Sequence, residues 1–155
     1  MTQTTEARDK THKRPTAPAR RFGYLVAIGG NVVMLVIANN ILDWGWLGWL
    51  TDEFGGVVWL INVAVGVTIL LNLAWLAFDP AWYRSAGQIV SNIVSLVVTV
   101  RIYQVFPFDF SGYDFDWGAL TRVVLILAVV GTAIGTLVEA RRLAAATADT
   151  SPRAA

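Results

Sequence analysis

Four runs of apolar residues, each about twenty positions long, set the rhythm of this chain. They cover residues 22–42, 57–78, 87–106 and 119–138. At 1.5 Å of rise per residue, each makes a helix of roughly 30 Å, the thickness of a bilayer's hydrocarbon core. The pattern predicts an all-α membrane protein, a bundle of four transmembrane helices. The third run is the least apolar. Asp79-Pro80 ends the second run, because proline cannot continue a helix without losing a backbone hydrogen bond. The connection to the third run is short, so the second and third helices should be antiparallel neighbours.

Polar positions inside the runs are ordered. Gln88, Ser91, Asn92, Ser95 and Thr99 recur at helical spacing and share one face of the third helix, with Val90, Val94 and Val97 opposite. Lipid offers such groups no partners, so the stripe should face other helices. Asn31, Asn62 and Asn72 are its expected partners, through hydrogen bonds worth roughly 0.6 kcal/mol each. The stripe reads as packing glue or, more sharply, as the lining of a hydrated path. In the fourth run Gly131 and Gly135 form a GxxxG, a surface smooth enough for close helix approach.

Charge gives the direction of threading. Arg8, Lys10, Lys13, Arg14, Arg20 and Arg21 precede the first run, Arg84 lies between the second and third, and Arg141, Arg142 and Arg153 follow the fourth. All ten fall on one side of a four-span path. The other two loops, 43–56 and 107–118, have no Lys or Arg and carry six acids. Basic residues are retained on the cytoplasmic side, so both termini should lie inside and the acidic loops outside. The first run is too long for a signal-peptide core and reads as a retained span. Residues 1–21 are expected to form a disordered basic tail and 139–155 a second cytoplasmic tail, flanking a transmembrane domain at 22–138. The expected location is a multi-pass protein of a cell membrane, in a prokaryotic plasma membrane.

Arg101 and Arg122 are the two cations within the runs, both near the outer end. They are shallow enough to snorkel and are expected to pair with Asp43, Asp109, Asp114 or Asp116. The second outer loop alternates rings with other residues around Ser111-Gly112. A turn there would make a short β-hairpin pairing Phe110 with Tyr113, Phe108 with Phe115 and Phe106 with Trp117. Asp109 would then face Asp114, a repulsion that the two arginines would offset; the acid spacing matches no standard calcium loop. Trp44, Trp46 and Trp49 in the first outer loop suit an interfacial belt.

Composition narrows the chemistry. Of 155 residues only 15% are charged, against about 25% in soluble domains. There is no cysteine, which removes disulfides, thiolate zinc sites and iron–sulfur ligation. The single histidine, His12, and the only lysines, Lys10 and Lys13, precede the first run. The spans thus hold neither a bis-histidine haem nor a Schiff-base lysine. No nucleophile has a base, so no catalytic residue, metal ligand or cofactor is assigned. The basic tail is explained by topology and gives no support for nucleic-acid binding. The expected function is non-enzymatic: an accessory or scaffolding component of a membrane assembly, as a homo-oligomer or in a larger complex within the lipid bilayer. The alternative is a small oligomeric channel or carrier lined by the polar face of the third helix.

Overall fold

A computed structural model describes residues 16–148, with side chains placed as far as residue 145. Four helices follow in order: α1 (Ala17–Trp44), α2 (Gly55–Ala77), α3 (Ala81–Val105) and α4 (Trp117–Ala148). A single 3-10 turn, Asp52–Phe54, leads into α2. No strand occurs among the described residues. Each helix is long enough and apolar enough to cross a membrane.

The helix ends follow local chemistry. Pro18 sits in the first turn of α1, where its missing N–H costs nothing and its fixed φ suits the helix. Gly45 closes α1 at φ 62°, in the left-handed region that a residue without Cβ enters freely, and its N–H reaches Leu42 O at 3.1 Å. Asp79-Pro80 separates α2 from α3 as expected. Phe106 caps α3 at φ 46° and Pro107, fully buried, blocks continuation.

Two helices outrun the apolar segments that predict them. α1 begins at Ala17, so Arg20 and Arg21, expected in a disordered tail, lie on its first turns. α4 runs on to Ala148, so Glu139, Arg141 and Arg142 are helical too. Each extension carries an ion pair: Arg20 of α1 with Asp79, and Arg142 with Glu139 within α4. The remainder of the two tails, 1–15 and 149–155, lies outside the described residues.

Neighbours in sequence are neighbours in space. α1 packs on α2, α2 on α3 and α3 on α4; no comparable packing joins α1 to α4, α1 to α3 or α2 to α4. The interior is correspondingly thin. Ala38, Val57, Val65, Asn72, Trp75, Gly87 and Pro107 are buried, and no residue of α4 with a described side chain is. Large aliphatic side chains cover the outside, among them Leu25, Leu70, Leu127 and Leu137. In water such a surface would be unstable; lipid is the solvent that suits it.

Candidate functional site

The two ends of the structure are built differently. The end that carries both termini is tied by charge. Asp79, at the α2–α3 joint, is 19% exposed. Its carboxylate accepts from Arg20 Nε and Tyr24 Oη of α1 and from Arg84 Nη1 of α3, each at 2.8 Å. Arg84 also donates to the Asp79 carbonyl at 3.1 Å. Burial alone would push the Asp79 carboxyl up. The hydrogen bonds from Arg84, Tyr24 and Arg20 outweigh it and hold the group at about 2. A second tie joins α3 to α4: Ser85 Oγ donates to Glu139 at 3.0 Å, and Arg142 donates to the same carboxylate from one helical turn on.

Beside these ties lies a cavity of about 660 Å³ to which all four helices contribute: Tyr24, Trp75, Ala81, Arg84, Ser85, Gln88, Glu139 and Arg142. The polar stripe of α3 runs away from it. At about 100° per residue, Gly87 and Ser91 lie on one flank of the stripe and Ser85 and Asn92 on the other. The first flank meets α2: a Cβ on Gly87 would stand 2.7 Å from Trp75 Cζ2, and Ser91 Oγ is 3.5 Å from Thr68 Oγ1. The second flank meets α4: Ser85 bonds Glu139, and Asn92 Nδ2 is 3.7 Å from where a Gly135 Cβ would be. Gln88, Ser95 and Thr99 fall between as the floor of a cleft walled by α2 and α4. Gln88 and Ser95 are exposed, and Thr99 is half-buried.

The expected partners of the stripe are elsewhere. Asn62 makes a reciprocal amide pair with Asn39 of α1, at 2.7 and 2.9 Å. Asn31 and the buried Asn72 donate to carbonyls one turn back in their own helices, Ala27 and Thr68. Short polar side chains in a helix find the carbonyl four residues back before they find a neighbour. Within the stripe, Gln88 donates to Asn92 at 3.0 Å and Thr99 to the Ser95 carbonyl at 2.8 Å. Of the GxxxG pair, Gly135 faces Asn92 of α3, whereas Gly131 is exposed with nothing near it.

The opposite end is tied by rings and backbone. The two loops pair with each other: Asp109 N–H donates to Trp49 O at 2.8 Å, Thr51 N–H to Pro107 O at 3.1 Å, and Leu50 and Phe108 form an antiparallel bridge. Trp49 lies against Phe108 and Phe110, with centroids 5.8 and 5.7 Å away. A turn does form at Ser111-Gly112, with Tyr113 N–H on Phe110 O at 3.1 Å and their rings 6.3 Å apart. Beyond it no further backbone pairing joins the two halves of the loop among the described residues. Phe108 has Leu50 as its backbone partner, and Phe115 packs on Trp117.

Arg101 and Arg122 depart from their expected ion pairs. The Arg122 guanidinium lies over the Phe106 ring at 3.9 Å and near that of Tyr103 at 5.6 Å, a cation–π stack. Arg101 is exposed and has no partner among the described residues. Two of the acids are already engaged. Asp109 accepts from Ser111 N–H, which holds its carboxyl below the usual range, and Asp116 accepts from Ala119 N–H in the first turn of α4. Asp114 is exposed, and no cluster of acids among the described residues is arranged to hold a metal ion.

Sequence reasoning treated Asp79 only as part of a helix stop. A signal was available: Asp79 is an acid in the one short connection on the basic side, five residues before Arg84. Comparison with protein-family models, curated proteins and solved structures finds no match to this chain.

Proposed function

We propose that this chain is an integral component of a cell-membrane assembly, non-enzymatic, with both termini on the cytoplasmic side. Its working surface is the cleft whose floor is Gln88, Ser95 and Thr99. The observation that carries the reading is the open floor. α4 packs on α3 and α1 on α2, and exposed polar groups of α3 remain between them. Hydrocarbon is a poor cover for an amide and a hydroxyl. A helix supplied by another copy or a partner protein would cover them and meet the exposed small residue Gly131 on the α4 wall. The ten basic residues on the terminal side support the orientation. The Ser85 hydroxyl is spent on Glu139, which Arg142 neutralises; this supports a non-catalytic reading.

The absence of cysteine makes the test clean. Ser95→Cys places a unique thiol on the floor, and Leu70→Cys places one on the exposed outside of α2. Cross-linking in native membranes should join Ser95→Cys, and not Leu70→Cys, to a defined protein. A second reading, an oligomeric channel or carrier, rests on the same floor being continuous with the 660 Å³ cavity. It requires that a membrane-impermeant thiol reagent label Ser95→Cys from the terminal side. A thiol that neither cross-links nor labels means lipid fills the cleft, and both readings fall.

A further inference from the structure

The cavity at the terminal end has the composition of an anion site. Two of the side chains that line it are guanidiniums and one is a carboxylate. Each guanidinium is already oriented by an acid: Arg84 by Asp79 and Arg142 by Glu139. Each of these contacts uses one terminal nitrogen, Nη1. Arg84 also contacts Tyr24, but an arginine has five N–H donors, so donors remain for a ligand on both. The acids are spoken for. Asp79 lies outside the lining and is engaged by three side chains. Glu139 is bonded to Ser85 and Arg142.

Two further features belong to the same wall. Ala81, the first residue of α3, lines the cavity. The positive end of a 25-residue helix dipole therefore lies there. Trp75 is 8% exposed, yet its buried indole N–H has no acceptor among the described residues. The backbone makes room for this indole by keeping residue 87 a glycine: an added Cβ would meet Trp75 Cζ2 at 2.7 Å and Cε2 at 3.2 Å. The wall thus offers two oriented guanidiniums and a helix N-terminus, with the Trp75 ring packed behind them. The volume falls within the roughly 300–1,000 Å³ of small-molecule sites.

We propose that this cavity is a binding site for a phosphate-bearing anion, held by Arg84 and Arg142 beside the N-terminus of α3 at the terminal mouth of the cleft. Phosphate suits the set because its tetrahedral oxygens accept from two forks at once. The same chemistry is carried by an anionic lipid headgroup and by a soluble phosphate. The cavity sits where the helices leave the apolar zone, the depth at which basic pockets between helices meet headgroups. The site is independent of whether a helix docks in the cleft.

The test uses the full chain, purified in a neutral detergent, with bound lipid counted by native mass spectrometry. Offered equal phosphatidylglycerol and phosphatidylcholine, the chain should retain one phosphatidylglycerol preferentially. Arg142→Gln should weaken that retention about tenfold, the scale of one lost charge-assisted contact. Arg84→Gln removes the other guanidinium of the lining and should weaken it to a similar degree. Millimolar inorganic phosphate added as competitor separates the sources. Displacement of the lipid assigns the site to soluble phosphates, and undiminished retention assigns it to the headgroup. Equal retention of both lipids with no phosphate competition overturns the proposal. So does retention that both variants leave unchanged.

Discussion

The two ends of this molecule solve the same problem with different forces. At the terminal end, Asp79 gathers Arg20, Tyr24 and Arg84, and Glu139 gathers Ser85 and Arg142. Those five donors and two acids link α1 to the α2–α3 joint and α3 to α4. At the loop end the fastening is a backbone bridge between the loops, a ring cluster around Trp49 and an arginine laid on Phe106. The acids there bind backbone N–H groups or face outward. The contrast teaches that charge asymmetry along the chain has a structural consequence within the fold. The basic end can recruit its few acids as hubs. The loop end has no basic residue in its loops, and its two helical arginines, Arg101 and Arg122, pair with none of its acids among the described residues; it relies on aromatic surface.

The comparison breaks first at Asp79. Asp79→Ala leaves three polar partners without their acceptor at once. It should cost about 2–3 kcal/mol, since hydrogen bonds to charged groups are individually strong and a stranded charge is penalised. Asp114→Ala, its acidic counterpart at the loop end, is exposed and should change stability by less than about 0.5 kcal/mol. Denaturation of both variants in the same detergent checks the pair. Equal effects would mean that the ends are not fastened differently.

Acid should expose the same difference. The folded-state Asp79 carboxyl is held at about 2, below the usual value of 3.8. Its contribution is therefore fully present above about pH 4 and is lost as pH falls through about 2. The stability gap between the natural chain and Asp79→Ala should be constant from neutral pH to about pH 5 and close toward pH 2. A gap that persisted at pH 2 would show that the carboxylate's charge is not what ties α1 to the α2–α3 joint.

The spans were legible because a bilayer demands a long apolar run, and no other feature of the chain competes with that signal. The stripe's face was legible for a similar reason: helical spacing puts Gln88, Ser91, Asn92, Ser95 and Thr99 together before any neighbour is chosen. Partners were not legible. Arg20 and Asp79 are 59 positions apart, and nothing local says that they meet. Asn31 and Asn72 look like interhelical donors in a sequence but satisfy themselves on Ala27 and Thr68. The helical stretches from 17 and as far as 148 were missed because hydropathy stops where lipid stops, whereas a helix continues through good helix formers such as the alanines at 144–146.

Glycines sharpen the comparison at the next level of effect. Gly87→Ala puts a methyl group into the space of the Trp75 ring and 3.0 Å from Leu71 Cδ2. Overpacking of that kind costs about 1–3 kcal/mol. Gly131→Ala meets nothing within the chain and should be neutral or stabilising by up to about 1 kcal/mol, the helix-propensity gain. Thermal unfolding in detergent reads both. If Gly131→Ala were silent there yet reduced cross-linking through Ser95→Cys in native membranes, the open α4 wall would be the surface where another helix docks.

Arg122 decides what kind of fastening the loop end uses. Its guanidinium lies 3.9 Å above the Phe106 ring rather than on a carboxylate. Arg122→Met should cost about 0.5–1 kcal/mol, the worth of a shallow cation–π contact. The size alone would not separate this contact from a surface ion pair, which is worth a similar amount. Coupling does separate them. In a double-mutant cycle, Arg122→Met and Phe106→Leu should interact, because each removes half of the same contact. Arg122→Met and Asp116→Asn should add independently, since Asp116 is engaged by the Ala119 N–H. The reverse pattern would place Arg122 on the loop acids, and the loop end would then be fastened by charge, like the end that carries the termini.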